Sequence, residues 1–158
     1  MIIRSLDNGG SRGSSRLNLL AFDNSTELFS VAVQRAVDGG GGLLEHEGEG
    51  GARVSAALIP AIQQLLERAA LTLGDLDAIV IGRGPGSFTV LRTACSVAQG
   101  LALGAGVPVL SVDTLLAVAE DAHSRAGVTQ VVAVLDARMD EVYWAGYQRA
   151  GGQWRQQG

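Results

Sequence analysis

Residues 79–89 carry the stretch most able to do chemistry. An apolar run, Ile79-Val80-Ile81, stops in Gly82-Arg83-Gly84-Pro85-Gly86-Ser87-Phe88-Thr89. Three glycines around a proline let the backbone take conformations closed to other residues, and Ser87 and Thr89 can cap the N–H groups of a following helix. Such a loop has two uses. It presents N–H groups and a helix dipole to a phosphate, or it lets helix and strand pack closely. No Lys-Ser/Thr follows, which excludes a Walker loop. Val90 and Leu91 stand where a dinucleotide fingerprint needs its last glycine. From the loop alone both uses remain open. Other chemistry finds less support. His46 and His123 are far apart, outside any H-x-x-x-H or H-E-x-x-H pattern, so no metal site is expected. Cys95 is the only cysteine and falls on the apolar side of a helical pattern, which marks a small core residue rather than a nucleophile. No Ser/His/Asp set suggests itself for acyl transfer.

The elements that must hold this loop follow from periodicity. Leu17 to Phe22 is an apolar run ending at Asp23-Asn24-Ser25-Thr26; alternation at Phe29, Val31 and Val33 then gives a tight turn and a second strand. The glycines at 39–42 turn the chain into a short strand around Leu43-Leu44, and Glu45 to Gly51 is expected to be a solvated loop. From Val54 apolar residues recur at helical spacing to Ala69, with Pro60 predicting a kink or a separately held first turn. A connector through Gly74 leads to the strand Ala78 to Ile81. After the loop, Leu91, Ala94, Cys95, Ala98, Leu101, Ala102 and Ala105 trace a small-residue helix face, ended by Gly104 and Gly106. Val107 to Val112 forms the next strand, and Asp113 caps a helix over Thr114 to Arg125 that buries one face. In its last turn His123 suits the helix dipole. Val131 to Leu135 and Glu141 to Gln148 form two strands joined by a charged turn at Asp136 to Asp140. Residues 150–158 are expected to fray, and the Ser/Gly-rich residues 1–16 to be a disordered extension.

Composition limits the partners. The chain has 158 residues, 47% of them hydrophobic, enough for one full domain with a real core. A net charge of −4 argues against gripping a nucleic-acid backbone directly, so no direct tRNA binding is expected. A single cysteine suits a reducing cytosol, and no run approaches the ~20 apolar residues of a membrane span. A cytoplasmic location is expected.

Four segments in order carry a resemblance. The string from Gly82 to Ala102 resembles the hallmark of the bacterial TsaB (YeaZ) family, and the segments Leu19 to Thr26, Val107 to Leu115 and Leu135 to Tyr143 match in the same order. Together they cover most of Leu17 to Tyr147. One departure is Val90, where the family usually has glycine; its branched side chain either fills a gap or forces the loop outward. The resemblance implies an α/β fold, one βββαβαβα lobe of the actin-like ATPase (ASKHA, ribonuclease H-like) architecture, over residues 17–130. Residues 131–149 would then be the opening hairpin of a truncated second lobe.

In that superfamily, turns bearing Asp, Ser and Thr approach nucleotide phosphates and metal. The corresponding positions, taken as vestigial, are Asp23, Ser25, Thr26, Gly84, Gly86, Ser87 and Asp136. The family itself is implied to be non-catalytic. It lacks metal-binding histidines, forms a heterodimer with a TsaD-like catalytic subunit, recruits a TsaE-like ATPase and self-pairs as a homodimer when alone, all for threonylcarbamoylation of adenosine in tRNA. No cofactor is expected. The alternative is a nucleotide-binding phosphotransferase or ATPase of the actin-like superfamily; a peptidase is disfavoured. Two helices carry more apolar residues than one sheet face requires. The expected partner interface is therefore Leu58, Ile62, Leu65, Leu66 and Ala69 on the first and Leu91, Ala94, Val97, Ala98 and Leu101 on the second.

Overall fold

The computed structural model describes residues 17–26, 28–36, 42–50 and 54–157. The extension expected over residues 1–16 and the turn expected over residues 39–41 lie outside the described residues.

A short apolar run, Leu19–Asp23 (β1), forms the middle of a five-stranded sheet of order β3-β2-β1-β4-β5. It pairs antiparallel with Leu28–Arg35 (β2), which pairs antiparallel with Gly42–Glu49 (β3). On its other side it pairs parallel with Ala78–Gly82 (β4), which pairs parallel with Val109–Val112 (β5). Between them run Val54–Arg68 (α1), a single 3₁₀ turn at Leu73–Asp75, and Phe88–Ala105 (α2). Thr114–Ala126 (α3) leads to a second, wholly antiparallel sheet, Gln130–Arg138 (β6), Glu141–Ala150 (β7) and Gln153–Gln157 (β8). The βββαβαβα order expected of an actin-like α/β lobe is the order observed.

Strand alternation sorts the core into two faces. Leu20, Phe22, Val31, Val33, Ile79 and Ile81 point to α1 and α2, where Leu58, Ile62, Leu65, Ala94 and Ala98 meet them. Each fully buried aliphatic side chain here contributes about 1.5–3 kcal/mol. Leu19, Ala21, Ala32, Ala78 and Val80 point the other way, onto Ala117 of α3.

Several expectations change. β3 does not stop at Leu44: it continues through Glu49, so His46 lies in a strand opposite Val31. The alternation of Glu45, Glu47 and Glu49 with half-buried Leu44, His46 and Gly48 is an edge-strand pattern, charges on the open face, which reads as loop by composition alone. α1 is helical through Pro60. Pro60 and Ala56, whose carbonyl lacks the proline's N–H, are both exposed, so water can serve that carbonyl. α2 passes through Gly104 and ends at Gly106, whose φ of 70° supplies the left-handed cap. Cys95 is exposed rather than a core residue, because Ala94 and Ala98 already fill the narrow stripe facing the sheet. Finally, residues 153–157 do not fray. They pair with β7, and Trp154 packs on α3.

Candidate functional site

The β1 turn, the glycine loop and the β6–β7 hairpin converge on one cleft of about 800 Å³. Ser25 and Thr26 line it from the turn, Gly86, Ser87 and Val90 from the loop and the start of α2, and Asp136, Arg138 and Tyr143 from the second sheet. Five of the seven sequence-predicted loop positions therefore meet: Ser25, Thr26, Gly86, Ser87 and Asp136. Asp23 and Gly84 do not line the cleft and lie behind it.

The hydrogen bonds show what these residues do. One Asp23 carboxylate oxygen accepts from Ser25 N–H at 2.6 Å, and the other accepts from the Thr114 hydroxyl at 2.9 Å. Ser25 Oγ sits 3.1 Å from the same Thr114 hydroxyl. The carboxylate is thus held between β1 and the start of α3. Glycine at 82 is required beside it, since a Cβ there would fall 1.8 Å from Asp23 Oδ2. At Gly86 a Cβ would meet Ser25 backbone and Cβ atoms at 2.9–3.0 Å, and Gly84, with φ of 91°, lies under Leu91. Each of the three glycines has a packing reason of its own.

Asp136 is likewise a turn residue. Its Oδ1 accepts from Arg138 N–H at 2.7 Å, while Arg138, Met139 and Asp140 all adopt positive φ. Ser87 stands at the N-cap of α2 with extended backbone, yet its hydroxyl makes no capping bond, contrary to the sequence expectation. Thr89 lies inside the helix, its carbonyl accepting from Thr93 Oγ1. Asp113 does cap α3: its Oδ1 accepts from Leu115 and Leu116 N–H at 2.9 and 3.3 Å.

Two participants were not singled out from sequence. Thr114, read only as the first residue of a helix, is buried and joins α3 to the β1 turn. Asn24 is 1% exposed; its Nδ2 donates to the Val90 carbonyl at 3.0 Å, and its Oδ1 has no hydrogen-bond partner. A strand ending in Asp-Asn-Ser and a strand ending in Asp-Thr were the available signals.

Titration adds one feature. Burial, with the Asp113 carboxylate beside it and bonded to it, pushes the Tyr147 hydroxyl up to about 12, partly opposed by Arg83. Among the described residues no three His, Cys, Asp or Glu side chains converge as metal ligands. His46 tilts against Phe29, and His123 bonds the Val128 carbonyl through Nδ1 at 2.8 Å.

Most of the residues expected at a partner interface are turned inward. Leu58, Ile62, Leu65, Leu66, Ala69, Ala94 and Ala98 are buried in the chain's own core, and Leu91, Val97 and Leu101 are half-buried. Both helices pack on one sheet face, which takes up the buried part of each apolar stripe. What α2 exposes is a different stripe, Arg92, Cys95, Ser96, Gln99, Gly100 and Leu103, with Leu103 87% exposed.

Comparison with known proteins agrees with this geometry. A family model described as "TsaD: tRNA N6-adenosine threonylcarbamoyltransferase" matches residues 50–157. The tRNA threonylcarbamoyladenosine biosynthesis protein TsaB of Escherichia coli (strain K12) is 41% identical over 133 residues, 84% of this chain and 56% of the relative. The protein of that name from Haemophilus influenzae is 42% identical over 130 residues, 82% of this chain and 53% of the relative. Among solved structures, YeaZ from Pseudomonas aeruginosa superposes with a TM-score of 0.81 at 42% identity, covering 90% of this chain and 65% of that one. The chain spans a little over half the length of the curated relatives it matches.

Proposed function

Since the chain belongs to the TsaB (YeaZ) family, we propose that it is a non-catalytic subunit in the biosynthesis of threonylcarbamoyladenosine in tRNA. It pairs with a TsaD-like catalytic subunit and, through it, with a TsaE-like ATPase, in the cytosol. Alone, it pairs with itself. The observation that supports a non-catalytic role best is the state of Asp23. Its carboxylate, at the position that would face a metal-bound phosphate in an actin-like ATPase, is instead engaged by Ser25 N–H and the Thr114 hydroxyl. Each oxygen already carries a hydrogen bond that holds the turn, which gives the carboxylate a structural task. The glycines nearby answer to packing contacts in the same way. A net charge of −4 leaves tRNA binding to the partner.

The interface is proposed on the outer face of α2. Cys95, Ser96 and Gly100 are small and permit close helix approach, and Leu103 supplies an apolar anchor.

The cleft keeps a second reading alive, a nucleotide phosphotransferase. One experiment separates the two. The chain is mixed with its TsaD-like and TsaE-like partners, complex mass is measured, and threonylcarbamoylation of tRNA is assayed with and without it. Complex formation with stimulated modification, and no ATP turnover by the chain alone, is expected. Micromolar ATP binding with turnover by the isolated chain would establish the phosphotransferase instead.

A further inference from the structure

Among the described residues no backbone ladder joins the two sheets: β6, β7 and β8 pair only with one another. The position of the second sheet therefore depends on side chains laid against α3. Leu115 and Ala119 pack on Ala133, Ala145 and Tyr147, with Leu116, Val118, Val131, Leu135 and Trp154 around them, apolar contacts that are not directional. Two polar contacts add direction. At the helix start, the Tyr147 hydroxyl donates to Asp113 Oδ1 at 3.3 Å. Seven residues on, Glu120 Oε2 accepts from both the Arg149 guanidinium and the Trp154 indole N–H. The Glu120 and Arg149 side chains are 7% and 11% exposed, so separating them would strand two charges away from water.

We propose that these two contacts are latches that fix the second sheet on α3 and thereby set the width of the cleft between the glycine loop and the β6–β7 hairpin. Seven helical residues rise about 10 Å, so the latches hold the sheet at two separated points. One point would leave a pivot; two prevent the sheet from swivelling across the helix. The first latch also reaches the loop itself. Asp113 Oδ2 lies 3.8 Å from Arg83, and Thr114 N–H donates to the Gly84 carbonyl at 2.9 Å. The far wall, Leu135 to Arg138 and Tyr143, belongs to the latched sheet. Releasing the latches frees that wall as a unit, because its own strands stay paired.

The inference does not depend on the identity of any partner. Its test is the distance distribution between spin labels at Thr89→Cys and Met139→Cys in a Cys95→Ser background, one label on each side of the cleft. The parent should give one narrow distribution. The Tyr147→Phe, Glu120→Gln double variant should give a distribution at least twice as wide, extended to longer distances, while its far-ultraviolet dichroism is unchanged. Tyr147→Phe alone, which keeps the ring, should widen it partly and is read by itself if the double variant does not fold. Leu58→Ala, which weakens the first core away from the latches, should leave the width as in the parent. A distribution as narrow in the latch variants as in the parent, or one widened equally by Leu58→Ala, overturns the proposal.

Discussion

Tyr147, on the second sheet, donates to the same Asp113 oxygen that caps α3, so one carboxylate both starts a helix and holds a strand that follows it by 28 residues at β7's first residue. Removing that carboxylate should cost more than an ordinary cap. Asp113→Ala is expected to lose the cap, about 0.5–2 kcal/mol, and in addition the Tyr147 bond, about 0.5–1.5 kcal/mol. Denaturant midpoints of Asp113→Ala, Tyr147→Phe and the double variant check this, and the double variant should cost less than the sum of the singles.

The same pair sets an alkaline limit. Tyr147 titrates at about 12 in the folded chain against 10.0 for an unhindered tyrosine, so its ionised form is disfavoured by folding. A folded-state value above the unfolded one means the neutral ring's contribution is full below pH 10 and is lost as pH rises toward 12. Unfolding midpoints measured across pH 9–12 should fall more steeply for the parent than for Tyr147→Phe. Equal slopes would contradict this.

Gly82 and Asp23 form a matched pair. Gly82→Ala places a methyl on Asp23 Oδ2 and should destabilise by roughly 1–3 kcal/mol, an overpacking cost. Asp23→Asn keeps the shape and one acceptor, so a loss nearer 1 kcal/mol is expected, with modification by a reconstituted complex reduced no more than a few-fold. A collapse of turnover in Asp23→Asn with assembly intact would assign Asp23 a chemical role.

On α2, adjacent faces should answer differently to charge. Leu103→Glu lies in solvent and should leave stability within about 0.5 kcal/mol while weakening partner binding about tenfold or more. Ala98→Glu buries a charge beneath the helix at 0% exposure and should unfold the chain. Calorimetric titration with the TsaD-like subunit alongside thermal melts distinguishes the two effects; unchanged affinity in Leu103→Glu would move the interface elsewhere.

Val90 occupies the third position of α2, half-buried on the cleft, with its carbonyl held by Asn24. Glycine at a helical position costs up to about 1 kcal/mol relative to good helix formers, so Val90→Gly should lower stability slightly and leave the fold intact. Chemical denaturation of the two proteins decides it.

The order of elements along the chain and the approximate spans of the helices were legible from periodicity and turn residues, because backbone preferences are local, whereas the grouping of Ser25, Gly86, Ser87 and Asp136 was implied only by the family resemblance. What was not legible depended on which face an element turns inward. Leu58 and Ile62 read as surplus because a helix drawn alone cannot show how far it sinks into a sheet, and Cys95 read as buried because its neighbours Ala94 and Ala98 share its pattern. β3 was cut short because its acidic open face outweighed the weak apolar beat of Leu44 and His46. Glu120 was invisible: its partners lie 29 and 34 residues away, Arg149 at the end of β7 and Trp154 in β8, a strand that composition describes as tail.

α3 carries apolar side chains on two opposite sides, Ala117 against the first sheet and Leu115 and Ala119 against the second. An element shared in this way couples the two sheets, because separation of either one leaves a side of α3 uncovered. The amides of α3 should exchange their hydrogens only through global unfolding, at the rate of the slowest amides of β1, and the melting of the whole lobe should be a single transition.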